Sequence, residues 1–169
     1  TAGAALLLGE GNVNFALSSS VLSAFFATPG AAGLRLGESN RGWLVFSTNT
    51  YTGGQFGAFV STQVSGAQVW FTSNTVLVST SGTVATYGFY LNGLLTGATI
   101  QNNGVYYRRP GTSLVATALY VKSAANLVFE RNRINNPGMI TGGAFYGADL
   151  VDADNVIFRY NDMNSTATA

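Results

Sequence analysis

The chain of 169 residues contains no cysteine and no histidine. The first absence excludes disulfides, thiolate metal sites and cysteine nucleophiles, and leaves the redox compartment unreadable. The second removes the commonest general base and the commonest metal ligand. Charge is scarce too. Charged residues make up 9% of the chain, against roughly a quarter in an average soluble domain. The net charge is +1 and Lys122 is the only lysine, so the dense basic face needed to bind nucleic acid is missing. No apolar run approaches the ~18 residues of a membrane span. The first residues, TAGAALLLGEG, have neither a methionine nor a basic segment, and do not read as a signal peptide. They suggest a chain processed or cut from something longer.

What is present is apolar and polar-uncharged. Hydrophobic residues account for 47% of the chain, which is enough for one domain with a substantial core and argues against disorder. The surface must come from Ser, Thr, Asn, Gln and Gly.

Two stretches, NLVFERNRI (126–134) and NVIFRYNDM (155–163), repeat one pattern at a shift of 29. Stepping back from Asn161 by 29 gives Asn132, Asn103 and Asn74, and a further step of 25 gives Asn49. Other positions keep the same register. Val69, Ala98, Leu127 and Val156 form one column; Phe71, Ile100, Phe129 and Phe158 a second; Val76, Val105, Ile134 and Met163 a third. Apolar columns alternate with polar or mixed ones such as Thr72, Gln101, Glu130 and Arg159, which is the period of a strand. A second strand-like segment precedes each copy: GLRLGE (33–38), GAFVST (57–62), GFYLNG (88–93), ALYVKS (118–123) and ADLVDA (148–153), with AALLLGEG (4–11) as an earlier one.

About six turns of 25 to 30 residues indicate a solenoid. A leucine-rich repeat is the rival, but it needs a helical or extended return segment. The returns here, NNGVYYRRPGTS and NNPGMITGGAFYG, are Gly-rich and lack helical periodicity. The expected fold is all-β: a parallel β-helix with two or three strands per turn, right-handed as parallel crossovers almost always are, forming one domain over 1–169. The register before residue 57 is not fixed, because Asn12 and Asn40 fall outside the later Asn column.

The motif N-x-x-F-x-x-N-x-I resembles the right-handed parallel β-helix of the pectate-lyase-like superfamily, and most of all the β-helical parts of bacteriophage tailspikes, fibres and virion-surface proteins. The resemblance is best from about 57 to 163. It implies that the repeated Asn sits at a tight turn between strands, where it tolerates the left-handed conformation and can bond to its neighbours up the stack. The repeat thus encodes architecture and not a site. The resemblance also implies parallel trimers, other virion subunits and surface glycans as partners, at an extracellular or virion surface.

Three places could hold chemistry. Glu130 with Arg159, and Arg133 with Asp162, fall one turn apart and are expected to be surface ion pairs worth roughly 0–1 kcal/mol. Asp149, Asp152 and Asp154, joined by Glu130 and Arg131, are the residues a polysaccharide lyase or glycoside hydrolase would use. The Asp–His–Arg-x-Lys pattern of polygalacturonases cannot be completed, and no cofactor or metal is implied. The third place is GVYYRRPGTS (104–113), read as a contact loop in which Tyr106, Tyr107, Arg108 and Arg109 meet a glycan or a neighbouring subunit. The segment 135–148, with Met139, Phe145 and Tyr146, is expected to project beside it. Trp70, in an outward column with Thr99, Val128 and Ile157, suggests a covered face. With no capping helix in sight, Val156, Phe158 and Met163 call for a further turn or a partner. The expectation is a structural and adhesive module, homotrimeric and carbohydrate-contacting. The alternatives are a polysaccharide-cleaving enzyme and a bacterial surface adhesin.

Overall fold

A computed structural model describes residues 3–24, 30–37, 39–61, 67–79, 84–93, 97–108, 115–136 and 144–165. These residues form eighteen strands and no helix. In chain order the strands are β1 (Ala4–Leu8), β2 (Val13–Ser18), β3 (Val21–Ser23), β4 (Ala32–Leu36), β5 (Arg41–Ser47) and β6 (Thr50–Gly53). Then follow β7 (Phe56–Ser61), β8 (Ala67–Thr72), β9 (Thr75–Ser79), β10 (Thr86–Asn92), β11 (Ala98–Gln101) and β12 (Gly104–Arg108). The last are β13 (Val115–Ala125), β14 (Leu127–Glu130), β15 (Arg133–Asn136), β16 (Ala144–Asp154), β17 (Ile157–Arg159) and β18 (Asp162–Ser165).

Every third strand joins the same sheet, so three parallel sheets run side by side, each six strands deep. β1, β4, β7, β10, β13 and β16 make the first sheet; β2 to β17 the second; β3 to β18 the third. The chain is a parallel β-solenoid with three strands per circuit. The third strand is short, three to five residues, which is why the sequence leaves two or three strands per turn open.

Alternation within each strand sends one side chain in two inward. Leu34, Ala58, Phe89 and Leu119 line the inner face of the first sheet in consecutive register. Phe46, Phe71, Ile100 and Phe129 do so in the second, and Tyr51, Val76, Val105 and Ile134 in the third. All twelve are fully buried. Like side chains stack on like: Phe46 lies on Phe71 at 5.1 Å between centroids, and Phe129 on Phe158 at 4.8 Å. Each buried large side chain contributes about 1.5–3 kcal/mol relative to its exposed state.

The corner between the second and third sheets carries the repeated Asn. Asn49, Asn74, Asn103 and Asn132 are all buried. The Oδ1 of Asn103 accepts from the backbone N–H of Asn74 at 2.8 Å and from its Nδ2 at 2.9 Å. The Nδ2 of Asn103 in turn donates to the Phe71 carbonyl at 2.8 Å and to Asn132 Oδ1 at 3.0 Å. Asn132 repeats this arrangement with Ile100 and Asn161. A polar residue is tolerated in an apolar core because every donor and acceptor finds a partner.

The left-handed residue at this corner is not the ladder Asn, as the sequence suggests, but the residue before it: Ser19, Thr48, Ser73, Asn102, Arg131 and Tyr160 all have φ between 52° and 57°. That residue reverses the chain and turns the following Asn inward. The penalty of left-handed backbone, about 1–2 kcal/mol per residue, is offset by the ladder bonds. The first circuit uses Ser20 in place of Asn, its N–H donating to Asn49 Oδ1 at 3.0 Å. Asn12 and Asn40 build a two-rung ladder at another corner, between the first and second sheets, where Asn40 Oδ1 accepts from Asn12 N–H and Nδ2 at 2.9 Å. They miss the main Asn column because they belong to a different corner.

Two phenols lie in the core, Tyr51 and Tyr107. Burial pushes both above the ordinary tyrosine value of 10.0, and for Tyr51 the amide donated by Asn49 Nδ2 at 3.0 Å partly offsets it. Unfolded phenols ionise near 10 while these resist, so the folded state keeps its protons longer. Stability is therefore full below about pH 9 and falls as pH rises past about 10, by up to ~1.4 kcal/mol per pH unit for each phenol. Urea midpoints measured from pH 8 to 11 should show this fall, and Tyr51→Phe should make it shallower, the rest being carried by Tyr107 and by the half-buried Tyr87 and Tyr90, whose phenols are also raised. A profile flat to about pH 11 would contradict the burial of both groups.

Candidate functional site

The carboxylates singled out in the sequence do not meet. Asp149, Asp152 and Asp154 all lie on β16 in the first sheet, whereas Glu130 ends β14 in the second. Asp152 occupies a left-handed bend, φ 51°, and is exposed, as is Asp154. Among the described residues no three acidic side chains form a group that could hold a metal ion. Glu130 is only 5% exposed. Its Oε2 accepts from Arg159 Nε at 2.9 Å and Nη2 at 2.7 Å, and its other oxygen pairs with Arg131. The pairing with Arg159 occurs as expected, but its acidic member is buried and doubly paired instead of being a surface charge. Arg131 stacks on Tyr160 at 5.5 Å. Arg133 and Asp162 form the expected exposed pair, at 3.7 Å.

Residues 104–108 are strand, not loop. Tyr107 points into the core, 2% exposed, and meets Phe145 edge-on at 5.4 Å. It cannot touch a ligand in this fold. Tyr106 points outward, and its ring lies against Gly104, where an added Cβ would meet ring atoms. Arg108 pairs in register with Ser79, and Arg109 lies outside the described residues, as does Met139. Phe145 and Tyr146, expected in a projecting segment, belong to β16.

The outward column of the second sheet is as the alternation predicts. Ala16, Val45, Trp70, Thr99, Val128 and Ile157 follow one another in register. Trp43, 45% exposed, stands in the adjoining column beside Gln68. The flanking column, Ser47, Thr72 and Gln101, is uncharged until Glu130 and Arg159. Beside Trp70 a shallow hollow of about 370 Å³ is lined by Gln68, Thr99 and Asn126.

The first sheet carries a cluster that the sequence reading did not single out. On its outer face Tyr90 stacks on Tyr120 at 4.8 Å and 15°. Tyr87 meets both edge-on, at 5.0 and 5.5 Å, and stacks on Phe56 at 5.4 Å. Asp149 follows Tyr120 in register on the next strand. Partial burial pushes the Tyr87 phenol up, and the neighbouring phenols and the Asp149 carboxylate add to this; Tyr90 is raised by burial and Tyr120, and lowered by its bond to Asn92. The shift of 29 that relates the Asn column sets Ala148 opposite Leu119 and Asp149 opposite Tyr120, and Tyr90 and Tyr120 already share a column in GFYLNG and ALYVKS. What the linear sequence does not display is the packing of the rings across strands, with Tyr87 edge-on to both Tyr90 and Tyr120.

No protein-family model, curated protein or solved structure matches the chain. What is established is the fold: an all-β parallel solenoid, with no helix among the described residues long and apolar enough to cross a membrane.

Proposed function

We propose that the chain is a rigid structural and adhesive module of an extracellular or virion surface, akin to the β-helical parts of tailspikes and fibres, and that it works as a parallel homotrimer. The observation that supports this reading most is the outward apolar column of the second sheet, Val45, Trp70, Val128 and Ile157, with Trp43 beside it. A strip of this kind, broken only by Thr99 between Trp70 and Val128, marks a face made to be covered. Copies set side by side with parallel axes present the same residue at every level. The flanking column is uncharged over Ser47, Thr72 and Gln101, and the Glu130 and Arg159 that continue it are already paired with each other within the chain. A head-to-tail contact of this kind closes into a ring about an axis along the solenoid.

Light scattering across a dilution series tests the proposal. The expected mass is three times that of the 17.6 kDa chain. Trp70→Asp combined with Val128→Asp is expected to give a folded species of one chain. A monomer for the unsubstituted chain at every concentration would overturn the reading.

A further inference from the structure

We infer that Tyr87, Tyr90 and Tyr120, with Asp149 at their edge, form a binding platform for an uncharged saccharide on the outer face of the first sheet. The inference deepens the adhesive part of the proposed function and moves its contact surface from the 104–113 segment to a regular sheet face. Tyr90, Tyr120 and Asp149 stand on successive strands in register, spaced by the roughly 4.8 Å of neighbouring strands. Tyr90 covers one face of Tyr120. On the other side the next strand presents the much shorter Asp149, which leaves an aromatic ledge with a carboxylate at its foot. A pyranose ring has apolar C–H faces that lie on such a ring and hydroxyls around its rim that need polar partners. Asp149 accepts from those hydroxyls. Lys122, two residues along β13 from Tyr120, and Asn92, opposite it on β10, supply donors.

The rings sit on strands and pack on one another, so the platform is formed before any ligand arrives. Its charges are of both signs, Asp149 against Lys122, with Arg35 further along the Tyr90 column. No basic face gathers to hold phosphates or a run of uronates. The three phenol rings lie 4.8 to 5.5 Å apart, too close to enclose a quaternary ammonium group between them.

The test is titration of the whole chain with cellotetraose, maltotetraose, chitotetraose and tetragalacturonate, read by calorimetry and by the ring resonances of the tyrosines. At least one of the three neutral probes is expected to bind and to shift the Tyr87, Tyr90 and Tyr120 rings. Tyr120→Ala should weaken that binding at least about tenfold, while Tyr120→Phe keeps it within about threefold, since the ring face and not the hydroxyl makes the contact. Asp149→Asn should weaken it less than Tyr120→Ala does. The trimer mass should be unchanged by these substitutions, and Trp70→Asp should leave saccharide binding intact, so failure of one proposal is distinguishable from failure of the other. The inference is overturned if no neutral probe binds, if binding leaves the three rings unshifted, if Tyr120→Ala binds as the unsubstituted chain does, or if tetragalacturonate binds tightest.

Discussion

Replacing Asn103 with leucine is expected to cost about 4 kcal/mol of stability, a large fraction of the roughly 5–15 kcal/mol of a folded domain. The side chain makes four hydrogen bonds, two accepted and two donated. Leucine has similar bulk and none of these groups. Its substitution strands the Asn74 N–H, one Nδ2 hydrogen of Asn74 and a lone pair of the Phe71 carbonyl, all within the core. Each buried unsatisfied group costs about 1–3 kcal/mol, and the sum is smaller than the parts because the corner relaxes. Asn126→Gly is the control. Asn126 is exposed and has φ 58°, and among the described residues its side chain accepts one bond, from Asn155 Nδ2 at 3.3 Å. Its loss should lie within about 0.5 kcal/mol. Urea midpoints of the two variants, measured together, decide whether the repeated Asn matters by position in the stack or simply by residue type.

Gly57→Val is expected to cost about 3 kcal/mol. Gly33, Gly57 and Gly88 fall in one column between paired positions of the first sheet. A Cβ on Gly57 would stand 2.7 Å from the Gly88 carbonyl oxygen and overlap the Val76 side chain. One on Gly88 would stand 2.6 Å from the Ala118 oxygen. The backbone at this column approaches its neighbours across the core, and an added side chain forces rungs apart at a level fixed by three sheets at once. Gly9→Ala, at a position with nothing within 4 Å, should be neutral or stabilising by up to about 1 kcal/mol. Thermal melts of both variants check the contrast.

Much of this architecture could be read along the chain. The columns headed by Val69, Phe71 and Val76 are the inner faces of the second and third sheets, because parallel register at a shift of 29 places identical sequence positions on top of one another. The outward column through Trp70 followed from the same alternation. Other parts were hidden for physical reasons. The third strand of each circuit is too short to show a period of its own. The left-handed residue before each Asn varies from Ser to Arg to Tyr, since the corner needs a conformation and not a side chain. Tyr107 looks like a contact residue beside Arg108 and Arg109, yet strand alternation from Val105 turns it inward. The Tyr87–Tyr90–Tyr120 platform depends on rings meeting across neighbouring strands, with Tyr87 edge-on to both others, which alternation along one strand does not display.

The repeat encodes a buried ladder of paired amides. Side-chain amide hydrogen exchange of the Asn residues, followed by NMR in the native state, tests it most directly. Exposed Asn amides exchange rapidly, whereas groups opened only by global unfolding exchange with the full stability of the protein. Strong protection is expected for the Nδ2 hydrogens of Asn74, Asn103 and Asn132, and none at Asn126. Exchange of all four at the rate of free amides would contradict it.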